Sequence, residues 1–276
     1  MTERWDGPAE RLDRVLPSLG LARSRSRAAE LIAGGRARVD GEVAVKAGMR
    51  VARGSLIALE GGDRYVSRAA HKLLAGLDAF SVEPDGRLAL DVGASTGGFT
   101  QVLLERGARE VLAIDVGHGQ LAEAIRADAR VRAVEGCNAR ELTPESLAEA
   151  TGVAEAPGIV VGDLSFISLD LVLPALALVA APDAQFVLLV KPQFEVGRQG
   201  VSGGIVTDRE LAIAAVARVI RGAASLGLEC LGVALSPIAG EHGNREVLAH
   251  FARGGAADPP EWEQRIREVF DAGGEA

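Results

Sequence analysis

The sequence predicts an α/β protein: a doubly wound, Rossmann-like sheet whose last strand runs antiparallel, preceded by a small α+β module. Three observations predict it. Apolar runs ending at Asp91, Asp115 and Lys191 alternate with segments of helical periodicity, as expected of strands joined by crossover helices. Residues 88–100 read as strand, glycine-rich turn and helix start. The charge also divides the chain: residues 1–72 hold 14 Lys/Arg against 9 Asp/Glu, a balance of +5, and residues 73–276 hold 16 against 29, a balance of −13. A basic front on an acidic body suits a polyanion docking at the front.

The front module is expected over residues 1–62. Leu12, Val15, Leu16 and Leu19 fall on one helical face, which Pro17 bends or ends. Ser24 is a fitting N-cap for a second helix and Gly34 a fitting left-handed residue after it. Arg36–Val43 reads as two strands around the Asp40-Gly41 turn, and Leu56–Leu59 as a closing strand. Residues 63–66 form a short linker, and the large domain spans 67–276.

In the large domain Ser67 is predicted to cap a helix carrying Lys72 in its second turn. Strands follow at 88–91, 110–115, 131–134, 158–162 and 185–191, with helices between them. Helices are expected at 208–226 and 260–271. Strands at 228–235 and 244–248 should form an antiparallel hairpin at the sheet edge.

The turn has the spacing Asp-x-Gly-x-x-x-Gly-Gly, through Asp91, Gly93, Ala94, Ser95, Thr96, Gly97, Gly98 and Phe99. This is not the Gly-x-Gly-x-x-Gly that crowds a pyrophosphate onto a helix, so a dehydrogenase is disfavoured. An acidic residue before the first glycine suits a cationic, amine-bearing ligand such as S-adenosylmethionine (SAM). Asp115, with Val116 beside it, ends the second strand, where a carboxylate can accept both ribose hydroxyls of an adenosine cofactor. Asn138 follows the third strand as a partner for the adenine edge.

Two function classes are disfavoured by composition. The start runs straight into charged sequence without a signal peptide. No window of 18 consecutive apolar residues predicts a membrane span. Cys137 and Cys230 lack ligand spacing, so no metal is expected and both read as reduced thiols of a cytoplasmic protein. A monomer is the expected state.

Arg11-Leu12-Asp13, Ser24-Arg25, Ala29, Leu31-Ile32, Gly34 and Val39-Asp40-Gly41 together resemble the S4 RNA-binding domain. The resemblance implies that Arg23, Arg25, Arg27, Arg36 and Arg38 face RNA, with Arg11 and Arg68 as further candidates. They would contact phosphates, which position RNA without reading its sequence.

Lys72, Asp163, Lys191 and Glu246 stand in the order Lys-Asp-Lys-Glu. This resembles the catalytic tetrad of FtsJ-like ribose 2′-O-methyltransferases, and Asp163 also falls where it could touch the cofactor. The runs Val66–Leu73, Asp91–Thr100, Ala113–Leu121, Asp163–Ser168 and Val190–Gly197, behind the S4-like module, are similar to the TlyA family. That family methylates ribose 2′-hydroxyls of cytidines in 16S and 23S ribosomal RNA, and its members are often labelled haemolysins. The resemblance implies SAM as cofactor and ribosomal RNA or its subunits as partner. Ala69 stands where much of the family has Gly, and Asn138 where many methyltransferases have Asp.

The chemistry explains the residue types. A ribose 2′-hydroxyl is a poor nucleophile and must lose its proton as it attacks the sulfonium methyl. A lysine accepts that proton only when neutral, a form favoured by desolvation or a neighbouring cation. Lys191 is the expected base and Lys72 the second cation. Asp163 would orient Lys191, and Glu246 would fix Lys72 or the ribose. Two other readings compete: an RNA-binding assembly factor with little turnover, which the complete tetrad opposes, and a haemolysin, which lacks a segment to insert.

Overall fold

The structure, a computed structural model, describes residues 2–22, 24–59, 65–197, 200–240, 243–254 and 260–272, the first two of the last segment by backbone alone. It divides into two compact units, Met1–Val66 and Ser67–Ala276.

In the first unit, strands β1 (Thr2–Arg4) and β2 (Glu10–Arg11) precede helices α1 (Leu12–Ser18) and α2 (Arg25–Ala33). Four strands follow: β3 (Ala37–Val39), β4 (Glu42–Ala44), β5 (Arg50–Val51) and β6 (Leu56–Leu59). The main sheet has the order β1-β6-β3-β4, and β2 pairs with β5. Ser24 caps α2, its hydroxyl accepting from the Arg27 amide at 3.2 Å. The helix ends one residue later than expected. Gly34 has φ −77°, and Gly35, at φ +69°, takes the left-handed position. Asp40 and Gly41 both have positive φ, the paired conformation of a type I′ hairpin turn. Leu12, Val15, Leu16, Leu31, Ile32, Ile57 and Leu59 pack as the core of this unit. Pro17 lies within the last turn of α1, which ends at the next residue.

The second unit opens with α3 (Ala70–Phe80). Ser67 does not cap it: the N-cap is Ala69, with helical backbone and no side-chain cap. Ser67 instead closes a tight turn ahead of the helix. Its hydroxyl accepts from the Ala69 amide and its carbonyl from the Ala70 amide, both at 3.2 Å.

Then come β7 (Leu88–Val92), α4 (Gly98–Glu105), β8 (Glu110–Asp115), α5 (Glu123–Arg126), β9 (Val131–Glu135) and α6 (Pro144–Thr151). They are followed by β10 (Ile159–Gly162), α7 (Leu173–Val179), β11 (Gln185–Val190), α8 (Pro192–Glu195) and α9 (Arg209–Ser225). β12 (Leu228–Leu235), β13 (Val247–Arg253) and α10 (Pro260–Ala272) end the unit.

The seven-stranded sheet has the order β12-β13-β11-β10-β7-β8-β9. From β11 to β9 the pairing is parallel, and β13 runs antiparallel to both its neighbours. The expected antiparallel hairpin forms at the sheet edge, with β12 outermost and β13 between β11 and β12; β13 runs from Val247 to Arg253, later than the expected 244–248.

Parallel strands covered on both faces read as continuous apolar runs. In β7 all five residues are buried. Leu88, Leu90 and Val92 face a cluster shared with α7, α9 and α10. On the other face Gly76 of α3 lies against Val187 and Leu248, where an added Cβ would sit 3.0 Å and 3.3 Å from their side chains.

Gly98 fixes how α4 meets the start of α3. A Cβ there would stand 2.9 Å from Ser67 Cβ and 3.1 Å from the Ala70 amide nitrogen. Both chains would have to shift. Gly98→Ala is expected to cost about 1–3 kcal/mol by overpacking, read as a lowered midpoint in urea unfolding. An unchanged midpoint would show that the two helices part freely.

Candidate active site

The chain leaves β7 toward β8 and β9 on one side and returns through β10 and β11 on the other. The carboxyl ends of β7 and β10 therefore flank the switch point where ligands bind in open α/β sheets. A cavity of about 480 Å³ opens there, within the size range of small-molecule sites.

Of the expected cofactor residues, Gly93, Ser95, Asp115, Val116, Asn138 and Asp163 line this cavity. Asp91, Ala94, Gly97, Gly98 and Phe99 do not, being buried in the protein, and neither does the half-buried Thr96. Gly97, at φ +97°, would place a Cβ 2.8 Å from Leu121 Cδ1, and Phe99 is 3 % exposed in the core. Gly93 behaves differently. At φ +80° it forms part of the wall, and a Cβ would sit 3.1 Å from Leu164 and 3.4 Å from the Asp163 carbonyl.

Asp91 is fully buried and does not line the cavity. Thr100 Oγ1 donates to its Oδ2 at 2.6 Å, while Oδ1 has no partner. Burial pushes this carboxyl up to about 7. Asp115 is held open to the cavity by two amides: Ser95 N donates to Oδ2 and Gly117 N to Oδ1, each at 2.7 Å. Each oxygen keeps a second lone pair for a ligand hydroxyl. Asn138 caps a short helical turn, accepting from the Arg140 amide at 3.2 Å and donating to Glu141 at 2.7 Å.

These features fit SAM. A carboxylate with free lone pairs faces a cavity of suitable size whose wall includes the backbone of Gly93.

A second cavity of about 300 Å³ holds Lys72, Asp163, Lys191 and Glu246. Asp163, Ser165 and Phe166 line both cavities, so the two share a wall. The four charged groups form a chain of alternating sign. Lys191 Nζ lies 2.6 Å from Asp163 Oδ1, Lys72 Nζ 3.5 Å from Asp163 Oδ2, and Lys72 Nζ 2.6 Å from Glu246 Oε2. The Lys191–Asp163 contact is a close ion pair.

Both lysines are nearly out of water, at 6 % and 7 % exposure, and Glu246 is at 2 %. Glu246 fills the space that a Cβ on Gly240 would take.

Three side chains at this site lie outside the sequence-derived set. Ser165 Oγ accepts from Lys191 Nζ at 2.8 Å, and Gln193 Nε2 donates to Glu246 Oε1 at 3.2 Å. Each stands two residues from a tetrad member, the one signal the sequence offers. Phe166, 86 % exposed at φ +64°, has no such signal.

The candidate RNA contacts divide. Arg68 lines the tetrad cavity. Arg11 grips Asp13 with Nε and Nη2, both at 3.0 Å, and Arg25 adds a third bond at 3.0 Å. The Arg11 guanidinium, with Arg25, holds the Asp13 carboxyl down at about 2. Arg27 pairs with Glu30 at 2.9 Å, and Arg38 donates to the Gly41 carbonyl at 3.1 Å. Arg36 is partly exposed at the foot of β3. Arg23 lies outside the described residues.

Among the described residues no group of three or more His, Cys, Asp or Glu could hold a metal ion, and no helix is long and apolar enough to cross a membrane.

Sheet order, switch-point cavity and charged chain together define the class: a Rossmann-like methyltransferase unit that follows a small α+β unit in sequence. The FtsJ-like methyltransferase model matches residues 65–253, and the S4 domain model residues 10–57. The chain belongs to the FtsJ-like methyltransferase family, in the S4-bearing branch that holds the TlyA enzymes.

The 16S/23S rRNA (cytidine-2′-O)-methyltransferase TlyA of Mycobacterium tuberculosis (strain CDC 1551 / Oshkosh) is 50 % identical over 241 residues, covering 86 % of this chain and 88 % of that protein. Hemolysin A of Brachyspira hyodysenteriae is 37 % identical over 242 residues, covering 87 % and 99 %. A solved structure from Streptococcus thermophilus, described as a candidate hemolysin, superposes with a TM-score of 0.72 at 36 % identity. It covers 98 % of this chain and 99 % of that one.

Proposed function

We propose that this protein transfers a methyl group from SAM to a ribose 2′-hydroxyl of ribosomal RNA, on a cytidine of 16S or 23S rRNA. The observation that carries the reading is the chain Lys191–Asp163–Lys72–Glu246 closing on the wall shared by the two cavities. SAM would supply an electrophilic methyl at that wall.

Lys191 takes the proton of the 2′-hydroxyl, Asp163 and Ser165 aim its nitrogen, and Lys72 is the second cation, fixed by Glu246. Much of the rate comes from holding the nucleophile in line. Asp115 accepts the cofactor's ribose hydroxyls, and Asn138 lies toward its adenine edge. The arginines of the S4 unit contact phosphates, and Arg68 meets the strand at the cavity mouth. A ribosomal substrate places the protein in the cytoplasm.

The direct test maps ribose methylation by mass spectrometry in rRNA from cells with and without the gene. One or more cytidine 2′-O-methyl groups should disappear with the gene. Identical maps would overturn the reading.

Two further results are expected. Asp115→Ala should weaken SAM binding by about 1–3 kcal/mol through two lost hydrogen bonds, measured by calorimetry. An unchanged affinity would take Asp115 out of the site. Replacing Arg25 and Arg38 with Ala should flatten the salt dependence of rRNA binding by about two units, one per lost phosphate contact, with SAM binding untouched. An unaltered slope would mean that RNA docks elsewhere.

A further inference from the structure

The loop after β10 and the turn after β11 are fastened together along residues 163–169 and 191–195. At one end Lys191 meets Asp163 and Ser165, at 2.6 Å and 2.8 Å. In the middle Phe166 lies over Phe194, with 5.1 Å between ring centroids. At the far end Glu195 reaches back. Its Oε2 accepts from Ser168 Oγ at 2.6 Å and its Oε1 from the Leu169 amide at 2.8 Å. The Glu195 carboxylate is 5 % exposed, and Arg218 stands 3.5 Å from it.

The fastened loop holds Phe166 at φ +64°, a left-handed conformation that bulky side chains rarely adopt. Such a backbone persists only where its surroundings over-determine it. The loop therefore has a built-in tendency to relax, and relaxation at Phe166 would rotate Ser165 and Asp163 away from Lys191. The bonds from Glu195 oppose that rotation from the side opposite Lys191.

We infer that Glu195 is a positioning residue for methyl transfer: it anchors the far end of the 163–168 loop and so keeps Asp163 and Ser165 on Lys191. The inference rests on the role proposed above for Lys191. Glu195 itself touches neither cavity's reacting groups. Its effect passes through the loop, where a misplacement of about 1 Å can cost about 100-fold in rate.

The test uses the full-length Glu195→Ala and Glu195→Gln variants with ribosomal subunits as substrate. Single-turnover transfer, counted per SAM-binding site, should fall about 10–100-fold in Glu195→Ala, with the half-saturating subunit concentration little changed. Glu195→Gln keeps a carbonyl acceptor for the Leu169 amide and should recover to within a few-fold of wild type. A residue that only stabilised the fold would reduce the number of SAM-binding sites and leave the rate per site alone.

Hydrogen exchange of the peptide spanning 163–169 should quicken in Glu195→Ala. Unchanged exchange, or an unchanged rate per site, overturns the anchor. A wild-type protein that transfers nothing to the 2′-hydroxyl would strike the proposed reaction instead, a result separable from the exchange measurement.

Discussion

Lys191→Ala should abolish methyl transfer, lowering the single-turnover rate about 10²–10⁴-fold, while SAM affinity and the unfolding midpoint stay near wild type. The nitrogen lies 2.6 Å from Asp163 and 2.8 Å from Ser165, at the wall between the two cavities. Lys191 directly follows β11, whose last five residues are all buried, and caps α8, so its aim is set by rigid elements on both sides. Lys191→Arg should not rescue, because arginine keeps its proton at any working pH.

The competing account makes Lys191 an electrostatic anchor, with the proton leaving to water. Arginine would then retain much of the activity. Single-turnover rates of the three proteins between about pH 6 and about pH 9.5 decide it. An arginine variant within a few-fold of wild type would sink the general-base role.

The strands that build the site were readable because parallel strands buried on both faces are continuous apolar runs. Glu110–Asp115, parallel to both its neighbours, falls where the sequence puts it. β1 carried no such signal, since Thr2, Glu3 and Arg4 are all exposed and become a strand only by pairing with β6 about fifty residues away. The insertion of β13 between β11 and β12 was equally hidden, because pairing order is not a local property.

In the glycine turn the sequence shows that backbones approach closely, but not what approaches. Gly93 lines the switch-point cavity, whereas Gly97 and Gly98 meet Leu121 and Ser67. The Lys72–Glu246 pair spans 174 residues. Composition and spacing could not join it; the resemblance did, by grouping both residues in one tetrad with Glu246 set to fix Lys72 or the ribose.

That pair yields the largest expected stability effect. Lys72→Met should cost about 3–5 kcal/mol, because removing one partner of a buried ion pair strands the other charge. Glu246 is 2 % exposed, and Gln193 at 3.2 Å would be its remaining side-chain donor among the described residues. The double variant Lys72→Met, Glu246→Leu should regain most of that loss, since an apolar pair of similar volume often replaces a buried ion pair at little or no cost. Transfer should stay lost in both variants, because neither restores the second cation beside Asp163.

Urea unfolding and single-turnover transfer, run on the same four proteins of the cycle, separate the two roles. A single variant within about 0.5 kcal/mol of wild type, the range of an ordinary surface change, would show that the pair is hydrated after all. A double variant that methylates would show that the reaction does not need Lys72. Stability regained without activity would mean that the pair is kept for the chemistry of the site and not for the fold.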